Sequence, residues 1–141
     1  KYDHYGTALK KFTLIDENIF KNIAANKRMA DYLNCPVTGS IANIIVKEGT
    51  KSFDELLEDN TFILSRFSTF TPSDVTGGFS GEIRNGLFYK DGKFTPVKGG
   101  AVTGMMDNAM KKAYFSKEIT QRRNYRGPLY IKIADLDIAG E

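Results

Sequence analysis

Leu87-Phe88-Tyr89-Lys90-Asp91-Gly92-Lys93-Phe94 places two β-prone runs on either side of an Asp-Gly pair. Asp-Gly readily takes the two positive φ angles of a two-residue hairpin turn, so this stretch predicts paired antiparallel strands. Upstream, Thr61 to Phe70 reads as a long strand. Thr71-Pro72-Ser73-Asp74 then reads as a turn and Thr76-Gly77-Gly78-Phe79-Ser80-Gly81 as a glycine-rich bend. Downstream, Met106, Ala109, Met110 and Ala113 recur at helical spacing. That predicts an amphipathic helix over Met105 to Tyr114, starting near Thr103-Gly104, with its methionines packed in the core. Leu129 to Ile138 predicts a closing strand with Ile131, Ile133 and Leu136 inward.

The first third of the chain is read by the same rules. Phe12-Thr13-Leu14-Ile15 and Ile19-Phe20-Lys21-Asn22-Ile23 flank a polar Asp16-Glu17-Asn18 break, which predicts a hairpin. Asn26 predicts a helix cap, with Met29, Tyr32 and Leu33 spaced to bury one face. Ile41 to Val46 predicts a strand covered on both faces, because it is almost continuously Ile and Val. Ser52-Phe53-Asp54-Glu55 has the spacing of a capping box opening a short helix that ends near Asn60, with Leu56 and Leu57 on its buried side. Strands and helices alternate without a βαβ rhythm. The fold class that follows is α+β, with mixed, largely antiparallel sheets.

The chain has 141 residues, a formal charge of +3, one cysteine and one histidine. That length suits a single domain over residues 1–141. No apolar run approaches the roughly 20 residues of a membrane-spanning helix. Lone Cys35 excludes an internal disulfide, and lone His4 excludes any motif that needs two histidines from this chain. Lys1 with no leader after it reads as the opening of a piece cut from something longer.

Each candidate constellation has a plain competitor. His4, close to the first residue, reads as part of an exposed tail rather than as a ligand. Cys35 follows a helix C-terminus, where the dipole disfavours a thiolate, so it reads as a small loop residue rather than a nucleophile. The Thr76 to Gly81 bend lacks the Lys and Ser/Thr opening a helix that a phosphate loop requires; Glu82-Ile83-Arg84 follows instead. Arg122, Arg123 and Arg126 surround Asn124 and Tyr125, a pattern that could contact nucleic-acid phosphates or simply be a solvated connection. A net charge of only +3 gives the nucleic-acid option little support. No paired carboxylates stand at spacings suited to acid/base work.

Four ordered segments carry a resemblance: Phe62-Ile63-Leu64-Ser65-Arg66-Phe67-Ser68; Val75-Thr76-Gly77-Gly78-Phe79-Ser80-Gly81-Glu82; Gly86-Leu87-Phe88-Tyr89-Lys90-Asp91-Gly92-Lys93; and Pro96-Val97-Lys98-Gly99-Gly100-Ala101-Val102-Thr103-Gly104. Together with the ending Asp137-Ile138-Ala139-Gly140, they resemble the C-terminal domain of the TldD/PmbA family of metallopeptidases, also called modulators of DNA gyrase. The resemblance implies a barrel-like core and a cytoplasmic protein paired, as homo- or heterodimer, with a TldD/PmbA-type subunit and acting on peptide substrates. It implies zinc in full-length catalytic relatives, held by a His-Glu-x-x-x-His helix that this chain lacks, so no cofactor, metal ligand or catalytic residue is expected here. Arg126 aligns where the family's metal-binding cysteine falls, and Gly78 stands where its Thr-Gly-Asp-Phe-Ser pattern is acidic.

The expected role is therefore the C-terminal domain of a metallopeptidase, or of its non-catalytic partner, forming part of a peptide groove and a dimer interface. An extended substrate is expected along Phe62 to Phe70 and the glycine-rich bend, held by backbone pairing. The expected substrate-binding residues are Arg66, Phe67, Ser68, Thr76, Gly77, Gly78, Phe79, Ser80 and Arg126. The alternative is a nucleic-acid or gyrase-associated binding module.

Overall fold

The computed structural model describes residues 1–140. In chain order the elements are β1 (Ile15–Asp16), β2 (Ile19–Phe20), α1 (Lys27–Leu33), β3 (Ile44–Ile45), α2 (Phe53–Leu56), β4 (Thr61–Pro72), β5 (Gly78–Lys90) and β6 (Lys93–Val97). Then follow β7 (Ala101–Met105), α3 (Met106–Lys111), β8 (Ala113–Phe115), β9 (Ile119–Arg122), β10 (Tyr125–Pro128), β11 (Ile131–Ile133) and β12 (Asp137–Ala139). The fold is α+β: mostly sheet, with three short helices among the described residues, and β3 running parallel to β10 in an otherwise largely antiparallel set. Strand pairing closes no barrel among the described residues; the largest sheet runs β12-β7-β5-β4, with β6 also on β5. The chain divides into two compact units, Lys1–Ile45 with Gln121–Arg126 and the remainder.

In the first unit, Glu17 and Asn18 take positive φ between β1 and β2, pairing Ile15 with Phe20 over a two-residue ladder far shorter than the expected hairpin. Asn26 caps α1 as its sequence requires, its side-chain oxygen accepting the Met29 amide at 2.9 Å. The face expected to be buried is open, however. Tyr32 is 84% exposed and Met29 and Leu33 are exposed as well, while Ala30 is the helix residue that is buried. The covered strand expected over Ile41 to Val46 shrinks to β3, and Ile41, Ile44 and Ile45 are all exposed. Continuous Ile and Val reported that a cover is needed, and nothing in this unit supplies it. Arg122 to Arg126 is no loose connection: Arg123 takes positive φ between β9 and β10, and Tyr125 and Arg126 pair with Ile44 and Ile45.

The second unit is organised by β5. Residues Gly78 to Glu82 pair with β7 and Gly86 to Lys90 with β6, while β4 lies along the other edge for nearly the whole length. Asp91 and Gly92 both have positive φ, so the hairpin turn forms as their chemistry requires. Alternation along β5 sorts its faces: Gly81 and Ile83 are buried, Ser80, Glu82 and Arg84 exposed. Cross-strand Val102 is buried opposite Gly81.

The capping box of α2 forms in full, with Ser52 Oγ accepting the Glu55 amide and Glu55 Oε2 accepting the Ser52 amide at 2.7 Å. The helix stops at Leu57, short of Asn60. The strand extends to Pro72, two residues into the expected turn, and the expected bend narrows to Thr76 and Gly77 because Gly78 onward is β5. The helix expected over Met105 to Tyr114 is only α3. It buries Ala109 while Met105, Met106 and Met110 are each more than 40% exposed, so these methionines are not core residues. The closing strand is two pieces, broken at Asp135 in the left-handed region; Ile133 and Leu136 are half-buried and Ile131 is exposed.

Candidate peptide-binding edge

A β-strand offers N–H and C=O groups on two edges, and a strand paired on one side leaves the other available to an added chain. The 12-residue β4 is such a strand: it pairs with β5 from Thr61 opposite Tyr89 to Pro72 opposite Phe79, and its outer edge carries no ladder among the described residues. Register shifts between Leu64 and Arg66, Arg66 and Phe67, and Phe67 and Thr69 interrupt the pairing. Bulges of this kind bend a strand and re-aim its side chains. They leave two regular runs, Thr61 to Leu64 and Thr69 to Pro72, on either side of an irregular centre.

Three of the expected binding residues fall at that centre. Arg66 is exposed and opposite Asn85, Phe67 is half-buried opposite Ile83, and Ser68 is exposed and skipped by the register. Ser65, also skipped, donates from Oγ to the Asn85 carbonyl at 3.0 Å. Thr76 and Gly77 lie at the turn before β5. There Ser73 Oγ accepts the Thr76 amide, Thr76 Oγ1 accepts the Gly78 amide, and the Gly77 amide donates to the Ser73 carbonyl. Gly78, Phe79 and Ser80 sit between β4 and β7, paired with Met105, Gly104 and Thr103, so ladders on both sides engage that segment. Phe79 stacks on Phe70 at 5.7 Å, and Phe70 meets Phe67 at 5.4 Å, which joins the end of β5 to the edge strand. Phe70 was missing from the expected set; its opposition to Gly81 depends on register, which sequence spacing alone does not give. Arg126 is exposed in β10 and belongs to the first unit, whereas the other eight residues belong to the second.

A second constellation carried no sequence signal beyond an ordinary Glu. Ser116 is fully buried; its Oγ donates to the Glu118 carbonyl at 3.1 Å and accepts the Tyr130 amide at 3.2 Å. Glu118 Oε1 accepts the Phe53 amide at 3.0 Å, tying the start of α2 to the residue just before β9. That amide, followed by its own, holds the Glu118 carboxyl below the usual carboxylate range against the opposing effect of burial. The rings of Phe53 and Tyr130 meet at 4.6 Å beside it. This node is built for positioning α2.

Among the described residues, no group of three or more His, Cys, Asp or Glu is placed to hold a metal ion. Among those residues, too, no helix is long and apolar enough to cross a membrane.

Residues 1–140 match the family described as the PmbA/TldA metallopeptidase C-terminal domain, and the chain belongs to that family. An uncharacterized protein of Methanocaldococcus jannaschii is 28% identical over 140 residues, covering 91% of this chain and 33% of that protein. The crystal structure of a Thermotoga maritima protein described as a candidate modulator of a DNA gyrase is similar with a TM-score of 0.82 at 18% identity, over 98% of this chain and 35% of that one. TldE from Thermococcus kodakarensis is similar with a TM-score of 0.80 at 20% identity, over 99% of this chain and 36% of its own. The chain thus spans about a third of the length of these proteins.

Proposed function

We propose that this chain is the peptide-binding wall of a TldD/PmbA-type metallopeptidase or of its non-catalytic partner. An extended peptide adds to the outer edge of β4, beside the Phe67, Phe70 and Phe79 rings. The unpaired 12-residue edge is the observation that carries this reading. Arg66 and Ser68 on the strand and Thr76 and Gly77 at its turn complete the groove. The protein works in the cytoplasm as a homo- or heterodimer with a TldD/PmbA-type subunit, and zinc for cleavage is held by residues outside this chain. Family membership supports the subunit type, and the open edge supports the binding mode.

Fluorescence anisotropy with an extended, unstructured peptide tests it. Backbone pairing uses alternate amides. Methylating one alternate set of peptide amides abolishes binding, and methylating the other set leaves it intact. Equal tolerance of both sets removes the pairing model. The three arginines of the β9–β10 hairpin favour a second reading, as a nucleic-acid module; DNA retention that falls steeply with salt would select it.

A further inference from the structure

The chain exposes 10,901 Å² of accessible surface. A compact monomer of 15.8 kDa exposes about 7,300 Å². Treated as two separate compact globules, the two units would still expose only about 8,800 Å². The remaining excess, about 2,000 Å², is more than twice the roughly 800 Å² that each partner contributes to a stable interface.

Exposed large apolar side chains occur in both units, and the first unit has the smaller core beneath them. In the first unit the buried apolar side chains are two alanines, Ala25 and Ala30. Phe20 is 76% exposed and Tyr32 84%, and Tyr5, Ile19, Ile23 and Ile45 are exposed with them. A groove of about 380 Å³ is lined by Tyr5, Asn26, Arg28, Met29 and Tyr32, the shape that receives an apolar anchor. The charge is also uneven: this unit carries nine Lys and Arg against four Asp and Glu, and the other eleven against thirteen.

We infer that the apolar face of the first unit, centred on β2, α1 and the Tyr5–Tyr32 groove, docks an apolar surface fringed with acidic residues. That surface is supplied by the polypeptide preceding this domain in proteins of the family. Three observations select this occupant. The matched region is the C-terminal domain of proteins about three times as long, so some two-thirds of such a chain lies outside the structure. The excess area of the chain as a whole is larger than one standard interface requires. The positive excess on this unit favours an acidic counterpart.

The test uses this chain and a longer form that carries the preceding region. Alone, the chain sediments as a monomer, binds a hydrophobic dye, and exchanges the amides of residues 15–33 quickly. In the longer form those amides slow by at least tenfold and the dye no longer binds. Supplied as a separate polypeptide, the preceding region binds the chain about tenfold less tightly when Tyr32 or Phe20 is replaced by Ala. It binds unchanged to Val75→Ala, a 90% exposed apolar control in the other unit. Equal exchange in both forms overturns the inference. So does a dimer of the short chain that Phe20→Lys dissociates, since the occupant is then a second copy.

Discussion

Phe79 stands opposite Gly104 across β5 and β7, and its ring occupies the space that a side chain at Gly104 would need: a Cβ there would lie 2.7 Å from Phe79 Cζ. One strand further out the pattern repeats, with Phe70 opposite Gly81 and a Cβ on Gly81 2.9 Å from the Phe70 and Phe67 rings. A glycine in a strand interior weakens the strand, and an aromatic partner laid over it restores the lost packing.

Gly104→Ala therefore overpacks this interlock and lowers unfolding free energy by about 1–3 kcal/mol. Phe79→Leu in the same chain recovers part of that loss, because the shorter side chain vacates the space. Urea unfolding of the two single variants and the double variant measures the coupling; strict additivity contradicts it. Gly49→Ala costs more, since its Cβ would lie 1.7 Å from the Phe115 carbonyl oxygen, where backbone must move.

At the start of α2, Ser52→Ala removes the acceptor for the Glu55 amide and costs about 1 kcal/mol, whereas Ser52→Asp retains most of the stability. Asn26→Ala at α1 follows the same rule with the Met29 amide. Thermal unfolding of the three variants is the measurement, and an Ala variant as stable as the parent refutes the cap.

Acid weakens the second unit. The Glu55 carboxyl is held below its usual range first by the Ser52 amide, the Glu58 carboxyl by Lys132, and the Glu118 carboxyl by the Phe53 amide. A carboxylate with a depressed folded-state pKa contributes stability above its unfolded pKa and loses it as pH falls through the folded value. Melting temperature is therefore level near neutrality and falls as pH drops below the ordinary glutamate range. Glu118→Gln lowers it at neutral pH and flattens the acid slope. A Glu118→Gln slope as steep as the parent's excludes the Glu118 contribution.

Arg123 turns the β9–β10 hairpin with φ of 49°, a conformation costly to a residue with a Cβ. Arg123→Gly leaves stability unchanged or raises it by up to about 1 kcal/mol, after the entropy that glycine loses on folding. A loss of more than that in urea unfolding shows that the Arg123 side chain has a structural role.

Local chemistry was legible in the sequence and distant chemistry was not. Asp91-Gly92 and the Ser52–Glu55 box each contain both partners of their interaction within four residues, and both formed as read. Met106, Met110 and Ile41 to Ile45 showed only that apolar faces exist. Which surface covers such a face is decided by residues far along the chain or outside it. Arg66, Phe67 and Ser68 were placed on a strand edge from their order alone, but the bulges that set them apart depend on pairing with Asn85 and Ile83. Ser116 and Glu118 act through Tyr130 and Phe53, partners that no spacing rule would have connected.

Because β5 serves β4 along one edge and both β6 and β7 along the other, three strands have no template until it is in place. A sheet that assembles on β5 first is recognised by its kinetics: substitutions at Ile83 or Phe88 then slow refolding, whereas those in β12 act mainly on the rate of unfolding.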